Sequence, residues 1–186
     1  MTQHALIETV SVADYLSGEQ ASAIRHEYVA GQVFAMVGAT RAHNVVTLNI
    51  AAFLRHHLRG TPCTAYMSDM KVCVEAADAF YYPDVAVSCE PLPPQGMFLS
   101  EPVLIVEVLS PSTANIDRRE KRLNYQKLSS LREYVLVSPE EIRVEVYRRG
   151  GEGWAELDVY EAGDETVALN SVAAKVPLAE IYLDVL

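Results

Sequence analysis

The chain has 186 residues, half of them hydrophobic, which fits a single folded domain over residues 1–186 and excludes a disordered protein. Its 25 acidic and 15 basic residues give a net charge of -10, which argues against a general nucleic-acid-coating protein but not against an enzyme with a local basic patch. No apolar run is long enough to cross a membrane and residues 1–5 lack the start of a signal peptide, so we expect a cytoplasmic protein with no membrane partner.

The N-terminal half alternates between helical and strand patterns, with glycine and proline residues at the boundaries. The predicted elements are a capped helix over 11–16, a β-hairpin over 28–37, a long helix over 41–59, strands over 66–74 and 85–88, and a proline-rich loop over 90–96. The three cysteines of this half are odd in number and widely spaced. They predict reduced structural thiols at Cys63, Cys73 and Cys89.

The C-terminal half begins with a fully apolar stretch that predicts a buried strand. The predicted elements are this strand over 103–109, a helix that starts within 110–113 and runs to about Ser130, a strand over 133–137, a hairpin over 142–160 and an apolar turn over 178–183. This order predicts an α/β (α+β) fold, in which a mixed β-sheet is flanked by helices and carries an added hairpin near each end.

Two carboxylates stand at the ends of apolar runs. Asp84 follows Pro83 at the start of one run, and Glu107 interrupts the buried strand. A carboxylate in such a place is costly to bury unless it is paired, hydrogen-bonded or bound to a metal. Two of them on neighbouring strands would suit a Mg²⁺ site for phosphate chemistry. The alternatives are that Asp84 caps a turn and that Glu107 pairs with an arginine.

One face of the helix after the buried strand carries a lysine between an acidic and an aromatic residue. Asp117, Lys121, Tyr125 and Leu128 follow one another at steps of four, four and three, so they share that face. If the face turns toward the sheet, Lys121 reaches the carboxylates. The basic residues of this region form either a local nucleic-acid contact or a solvated helix face; they are Arg118, Arg119, Lys121, Arg122, Lys127 and Arg132.

These motifs resemble the Uma2 family (DUF820), which is placed in the PD-(D/E)xK nuclease superfamily, with a restriction-endonuclease-like fold. The resemblance spans about 11–147 and rests on the segments 27–33, 82–87, 102–113 and 133–134 and on His43, Asp117, Lys121 and Tyr125. Leu109 stands where the superfamily motif has its lysine. Uma2-like chains similarly take a lysine from the next helix, where Lys121 stands. Val135 and Ser138 replace residues that are often tryptophan and aspartate in relatives, which predicts altered packing.

The resemblance implies a metal-dependent endonuclease that hydrolyses phosphodiester bonds of DNA. Asp84 and Glu107 would hold Mg²⁺ or Mn²⁺ with Glu27 near it, and Lys121 would orient the attacking water or stabilise negative charge. Burial would lower the pKa of Lys121 and the carboxylates would raise it, and the sequence leaves both outcomes open. For Glu27 the alternative is a surface pair with Arg25.

Three classes of function remain open from the sequence: the endonuclease, a catalytically silent nucleic-acid- or protein-binding member of the same fold, and a scaffold whose acids form buried pairs. The intact set of Asp84, Glu107 and Lys121 favours the first. His43, close to a helix start, is interpreted as a cap or core-edge residue rather than a base. Cutting both strands of a duplex suits a homodimer, and the hairpin over 142–160 is the candidate interface.

Overall fold

The computed structural model describes residues 9–151 and 153–185, so the prediction about the extreme N-terminus lies outside the described residues. The mixed α/β architecture that the sequence predicts is confirmed. Two main sheets and a small C-terminal strand pair are combined with few helices. Within the described ranges, no helix has the length and apolar character needed to cross a bilayer.

The larger sheet has six strands in the order β11-β10-β9-β8-β6-β3. Their bounds are β3 Thr64–Met67, β6 Val85–Ser88, β8 Pro102–Val108, β9 Glu133–Val137, β10 Arg143–Gly150 and β11 Gly153–Glu161. β8 and β9 run parallel and the other neighbours are antiparallel. The sheet is therefore mixed, and β3 and β11 are its edges.

The smaller sheet has five strands in the order β2-β1-β5-β4-β7. Their bounds are β1 His26–Val29, β2 Gln32–Ala35, β4 Lys71–Val74, β5 Ala79–Tyr81 and β7 Phe98–Leu99. The predicted N-terminal hairpin is confirmed as β1 and β2. Its turn, at Ala30 and Gly31, has φ angles of 47° and 84°, in the left-handed region that glycine tolerates best.

Two substantial helices are accompanied by several short helical turns. The helices are α1 Val12–Ala21, α2 Arg41–His57, α3 Ala114–Ile116, α4 Arg122–Tyr125 and α5 Leu178–Ile181. The side chains of Ser11 and Thr40 cap α1 and α2 by accepting backbone N–H groups of the first turn. Near the C-terminus, β12 (Thr166–Leu169) pairs with β13 (Ala174–Pro177).

The larger sheet lies between two apolar layers. On one face it packs against α2 and the β12–β13 pair, and on the other against the smaller sheet and the segment around α4. Side chains of β8 alternate between these layers, because successive residues of a strand point to opposite faces. Val106 and Val108 face the α2 layer, whereas Ile105 faces the other. Glu107 accordingly points into the layer that contains the smaller sheet.

Two predicted elements in the middle of the chain need correction. The strand over 66–74 is two strands in different sheets, because a turn at Ser68, whose φ is 40°, separates β3 from β4. The predicted helix does not reach Ser130 and ends at Tyr125. The Arg149 guanidinium donates to the carbonyls of Gln126, Leu128 and Leu131, so these groups are satisfied without further helix. β5, β7, β12 and β13 were not predicted.

The prediction of three reduced cysteines is wrong for two of them. Cys63 and Cys89 form a disulfide, and Cys73 is free. The reason is strand register, which the spacing of cysteines along the chain does not reveal. Thr64 lies opposite Ser88 where β3 pairs with β6, so the residues just beyond this pair face each other across the sheet.

Candidate functional site

Asp84 and Glu107 face each other across two strands and hold each other in place. Val85 of β6 lies opposite Val106 of β8, so the residues that precede and follow this pair are also opposite. Asp84 Oδ2 accepts a 2.7 Å hydrogen bond from the Val108 backbone N–H, and the Asp84 backbone N–H donates to Glu107 Oε2 over 3.3 Å. Both carboxylates are therefore held by backbone groups of the paired strands.

The Lys121 ammonium group contacts three carboxylates at once. Its Nζ lies 2.8 Å from Glu27 Oε1, 3.4 Å from Glu107 Oε1 and 3.5 Å from Asp117 Oδ1. The side chain of Lys121 is 7% exposed, so solvent screens these contacts little. Lys121 and not an arginine is thus the cationic partner of Glu107, and Tyr125 adds a 3.2 Å hydrogen bond from its hydroxyl.

Glu27 enters the site from β1 of the smaller sheet. Its Oε1 also accepts the backbone N–H of Tyr82, close in the chain to Asp84. The alternative pairing with Arg25 is wrong, because Arg25 forms its ion pair with Asp69. The four predicted site residues are therefore brought together, although they come from both sheets and from a helical segment.

A π-helical turn at Asp117–Lys121 directs its first and last side chains inward together. Both are buried, and Asp117 Oδ1 has no hydrogen-bond partner among the described residues. Turns of this kind occur frequently at functional sites. Asp117 is absent from the predicted site, although its four-residue step to Lys121 already indicated a shared face.

These groups line a cleft of about 530 Å³. The chain from the end of β2 through residue 39 contributes to it, and so does the segment from 110 to 121. Asp84, Glu107 and Lys121 line the same cleft. Asp84, whose side chain is 19% exposed, is therefore the more accessible carboxylate, whereas Glu107 and Lys121 lie almost fully buried at the wall of the cleft.

Burial and charge shift the ionisation of these groups in opposite directions. Burial raises the pKa of the Glu107 carboxyl well above its ordinary value; the Lys121 ammonium opposes this shift and neighbouring carboxylates add to it. Burial also raises the pKa of Asp117. For Lys121, burial lowers the pKa, but the surrounding carboxylates outweigh burial and raise it above the ordinary value. Lys121 is therefore a firmly charged ammonium group.

His43 faces Asp84 instead of capping a helix. The cap of α2 is Thr40, whose hydroxyl accepts the His43 backbone N–H, while His43 Nε2 lies 3.3 Å from Asp84 Oδ2. Burial disfavours the charged imidazole, but the hydrogen bond and charge of Asp84 prevail and raise the pKa of His43. No local pattern in the sequence connects these residues, since they are distant along the chain.

The predicted basic cluster is divided between different surroundings. Arg118 forms an ion pair with Glu145, and the Arg122 guanidinium lies 4.8 Å from the centre of the Tyr147 ring. Lys121 is the member that lines the cleft. The remaining members are exposed: Arg119, Lys127 and Arg132. The cluster is therefore not one continuous basic face.

The carboxylates of the site are candidate ligands for a divalent cation. Within residues 9–151 and 153–185, no group of three or more histidine, cysteine, aspartate or glutamate side chains is arranged to hold a metal ion. Mg²⁺, however, is commonly bound by one or two carboxylates and several waters. Around Lys121, the carboxylates of Glu27, Asp84, Glu107 and Asp117 outnumber the ammonium charge. Carboxylate oxygens together with water are ligands that suit Mg²⁺ and Mn²⁺, so Asp84 and Glu107 are the candidate ligands of this set.

Comparison of sequences places the chain among related proteins. The Uma2 family model, described as "Putative restriction endonuclease", matches residues 12–179. The uncharacterized protein slr1290 of Synechocystis sp. is 33% identical over 175 residues, which are 93% of this chain and 91% of the relative. The uncharacterized protein sll1609 of the same organism is 30% identical over 151 residues, 80% and 85% of the two chains.

Comparison of structures supports the fold. A crystal structure of a DUF820 protein from Anabaena variabilis, described as "a putative nuclease", is similar to this chain with a TM-score of 0.73 at 19% identity. The match covers 89% of this chain and 93% of the other. The nuclease-like fold is thus shared despite the low identity.

Proposed function

Because the chain belongs to the Uma2 family, we propose that it is a metal-dependent endonuclease that hydrolyses phosphodiester bonds of DNA. The observation that carries this proposal is the contact of the Lys121 ammonium with Glu27 and Glu107, while Glu107 is held opposite Asp84. A buried lysine among several carboxylates at the wall of a cleft, with ionisation shifted by burial and charge, is a candidate functional site. This arrangement favours a chemical role.

Asp84 and Glu107 are the residues that would hold Mg²⁺ or Mn²⁺, with Glu27 near it. A bound divalent cation would polarise the scissile phosphate and lower the pKa of a water molecule. Lys121 would then orient the nucleophile or stabilise the negative charge that develops on the phosphate. His43 would keep the Asp84 carboxylate in position through the contact at Oδ2.

The test is nicking of supercoiled plasmid with Mg²⁺ or Mn²⁺, with EDTA as the blank. Asp84→Ala and Lys121→Ala are each expected to abolish metal-dependent nicking. The matched control is Lys127→Ala, which removes an exposed lysine of the same region. If the wild-type protein cuts neither plasmid nor oligonucleotides in either metal, the nuclease proposal fails, and the catalytically silent binding protein becomes the better description.

We also propose that the enzyme is a homodimer. The aromatic side chains of the predicted interface hairpin face its own chain: Trp154 donates to the Gln126 carbonyl. The exposed apolar residues of this hairpin are Leu157 and Val159 on β11, an edge of the larger sheet. An edge strand with exposed apolar side chains is a natural place for pairing with a second copy.

A further inference from the structure

The cleft offers few cations to a nucleic-acid backbone. The chain has 15 lysine and arginine residues, all of them within the described ranges, and those that line the cleft are Arg25 and Lys121. Arg25 is paired with Asp69, and Lys121 contacts three carboxylates. The charge of Lys121 is therefore compensated by carboxylates, which leaves the half-exposed Arg25 as the lysine or arginine of the cleft that can reach a phosphate. Duplex DNA is normally bound through several lysine or arginine contacts to its phosphates.

The same cleft presents an exposed aromatic ring beside the site. Phe34 lies directly opposite Glu27 in the β1–β2 pair, so the two side chains project from the same face of the sheet. Glu27 reaches Lys121 on that face. Phe34 lines the cleft and is 50% exposed. A ring so placed can stack on a base that is close to the scissile phosphate.

Further apolar groups border the cleft around this ring. Met36 and Val37 follow Phe34 in the chain, and Ile116 comes from the segment that precedes the π-helical turn. All are more than one-third exposed, with 38%, 73% and 45% of their surfaces accessible. An apolar border around an exposed ring suits the flat face of an unpaired base, which a duplex keeps stacked inside the helix.

We infer that the preferred substrate is a single-stranded segment of nucleic acid, with one unpaired base stacked on Phe34. The inference rests on the proposed nuclease function and narrows its substrate class. Stacking on an aromatic side chain contributes about 1–3 kcal/mol per base, which corresponds to a roughly 5- to 150-fold change in affinity. Proteins that bind single strands combine such rings with positive charge for the backbone. Here Arg25 would supply part of that charge, and a divalent cation held by Asp84 and Glu107 would add to it.

The test measures binding and cutting separately. Binding is followed by fluorescence anisotropy with labelled oligonucleotides in Mn²⁺: single-stranded DNA, single-stranded RNA of the same sequence, and a blunt-ended DNA duplex made of two complementary strands. Cutting of the same molecules is followed on gels. The variants are Phe34→Ala and Phe34→Trp, with Leu183→Ala as control, because Leu183 is an exposed apolar residue outside the cleft lining.

A single strand is expected to bind at least about tenfold more tightly than the blunt-ended duplex. Phe34→Ala should weaken single-strand binding by roughly 5- to 150-fold, Phe34→Trp should retain it, and Leu183→Ala should leave it unchanged. The affinities for single-stranded DNA and for single-stranded RNA show which of the two nucleic acids the protein prefers. Duplex binding that equals single-strand binding, or an unchanged affinity in Phe34→Ala, overturns the inference. Phe34-dependent binding without cutting of any substrate overturns the nuclease proposal instead.

Discussion

At the residue scale, the site depends on one ammonium group among several carboxylates. Lys121 is buried, and its partners Glu107 and Asp117 are buried as well. Removing one partner of a buried charge cluster leaves the others uncompensated and typically costs about 3–5 kcal/mol. The raised pKa of Glu107 has the same physical origin, since burial and nearby carboxylates already disfavour its charge.

We therefore predict that Lys121→Met destabilises the protein by about 3 kcal/mol in EDTA, measured by urea unfolding. A divalent cation that binds the carboxylates of the folded state replaces part of the lost positive charge. Mg²⁺ should accordingly raise the unfolding free energy of the variant more than that of the wild type. Lys127→Met is the control, because Lys127 is exposed and bonds Asn124. Equal stability of Lys121→Met with and without Mg²⁺ would contradict a cation site.

At the element scale, the short helical segment is tied to the larger sheet by charge as well as by packing. Arg118 in the π-helical turn pairs with Glu145 of β10, and Arg143 of the same strand pairs with that carboxylate too. The Glu145 side chain is only 5% exposed. Burial alone would raise the pKa of Glu145, but the two guanidinium groups prevail and hold it below its ordinary value.

This lowered pKa predicts a pH-dependent contribution to stability. The contribution is complete above the unfolded-state pKa of glutamate, about 4.3, and is lost as the pH falls through the lower folded-state pKa. Glu145→Gln should therefore be about 1–3 kcal/mol less stable than wild type at pH 7, and the difference should shrink toward pH 3. Glu140→Gln, at an exposed position, is the control. If the difference in unfolding free energy between Glu145→Gln and wild type stays constant from pH 7 to pH 3, the lowered pKa of Glu145 is refuted.

Many of the helices and strands follow from local sequence patterns. The incorrect predictions share one cause, which is contact between residues distant in the chain. The hairpin at Gly31, the long helix α2 and the buried strand β8 are all set by spacing and by stop residues. The helix that ends at Tyr125, by contrast, depends on Arg149, a residue more than twenty positions later. The Cys63–Cys89 bridge likewise depends on strand register.

The candidate site is likewise predictable from local sequence patterns in some of its residues but not in others. Asp84 and Glu107 stand out locally, because one precedes and the other interrupts an apolar run, and Lys121 stands out by its four-residue step from Asp117 on one helix face. Asp117 completes the same cluster and was already indicated by its four-residue step to Lys121. His43 also completes it, but its contact with Asp84 depends on how α2 packs against the sheets. Contacts between residues distant in the chain carry no local pattern, and only the folded chain reveals them.

At the scale of the whole molecule, the distribution of charge limits how the protein can meet a partner. The chain carries a net charge of -10. A second copy is therefore repelled at long range, and association needs an apolar contact that outweighs this repulsion. The free edge β11 supplies one, with Leu157 48% and Val159 38% exposed. Two copies of an edge strand can pair about a twofold axis, which extends the larger sheet across the dimer.

Leu157→Lys is predicted to convert the dimer to a monomer, because it places a charge in the middle of this apolar contact. Sedimentation equilibrium should give about twice the chain mass of 20.5 kDa for the wild type and one chain mass for the variant. Leu183→Lys makes the same change at an exposed residue outside the hairpin and should remain dimeric. At low protein concentration the two variants should have the same thermal unfolding midpoint, since neither side chain is buried within the chain. A wild-type protein that sediments as a monomer at all concentrations, or a Leu157→Lys variant that stays dimeric, would rule out pairing through β11.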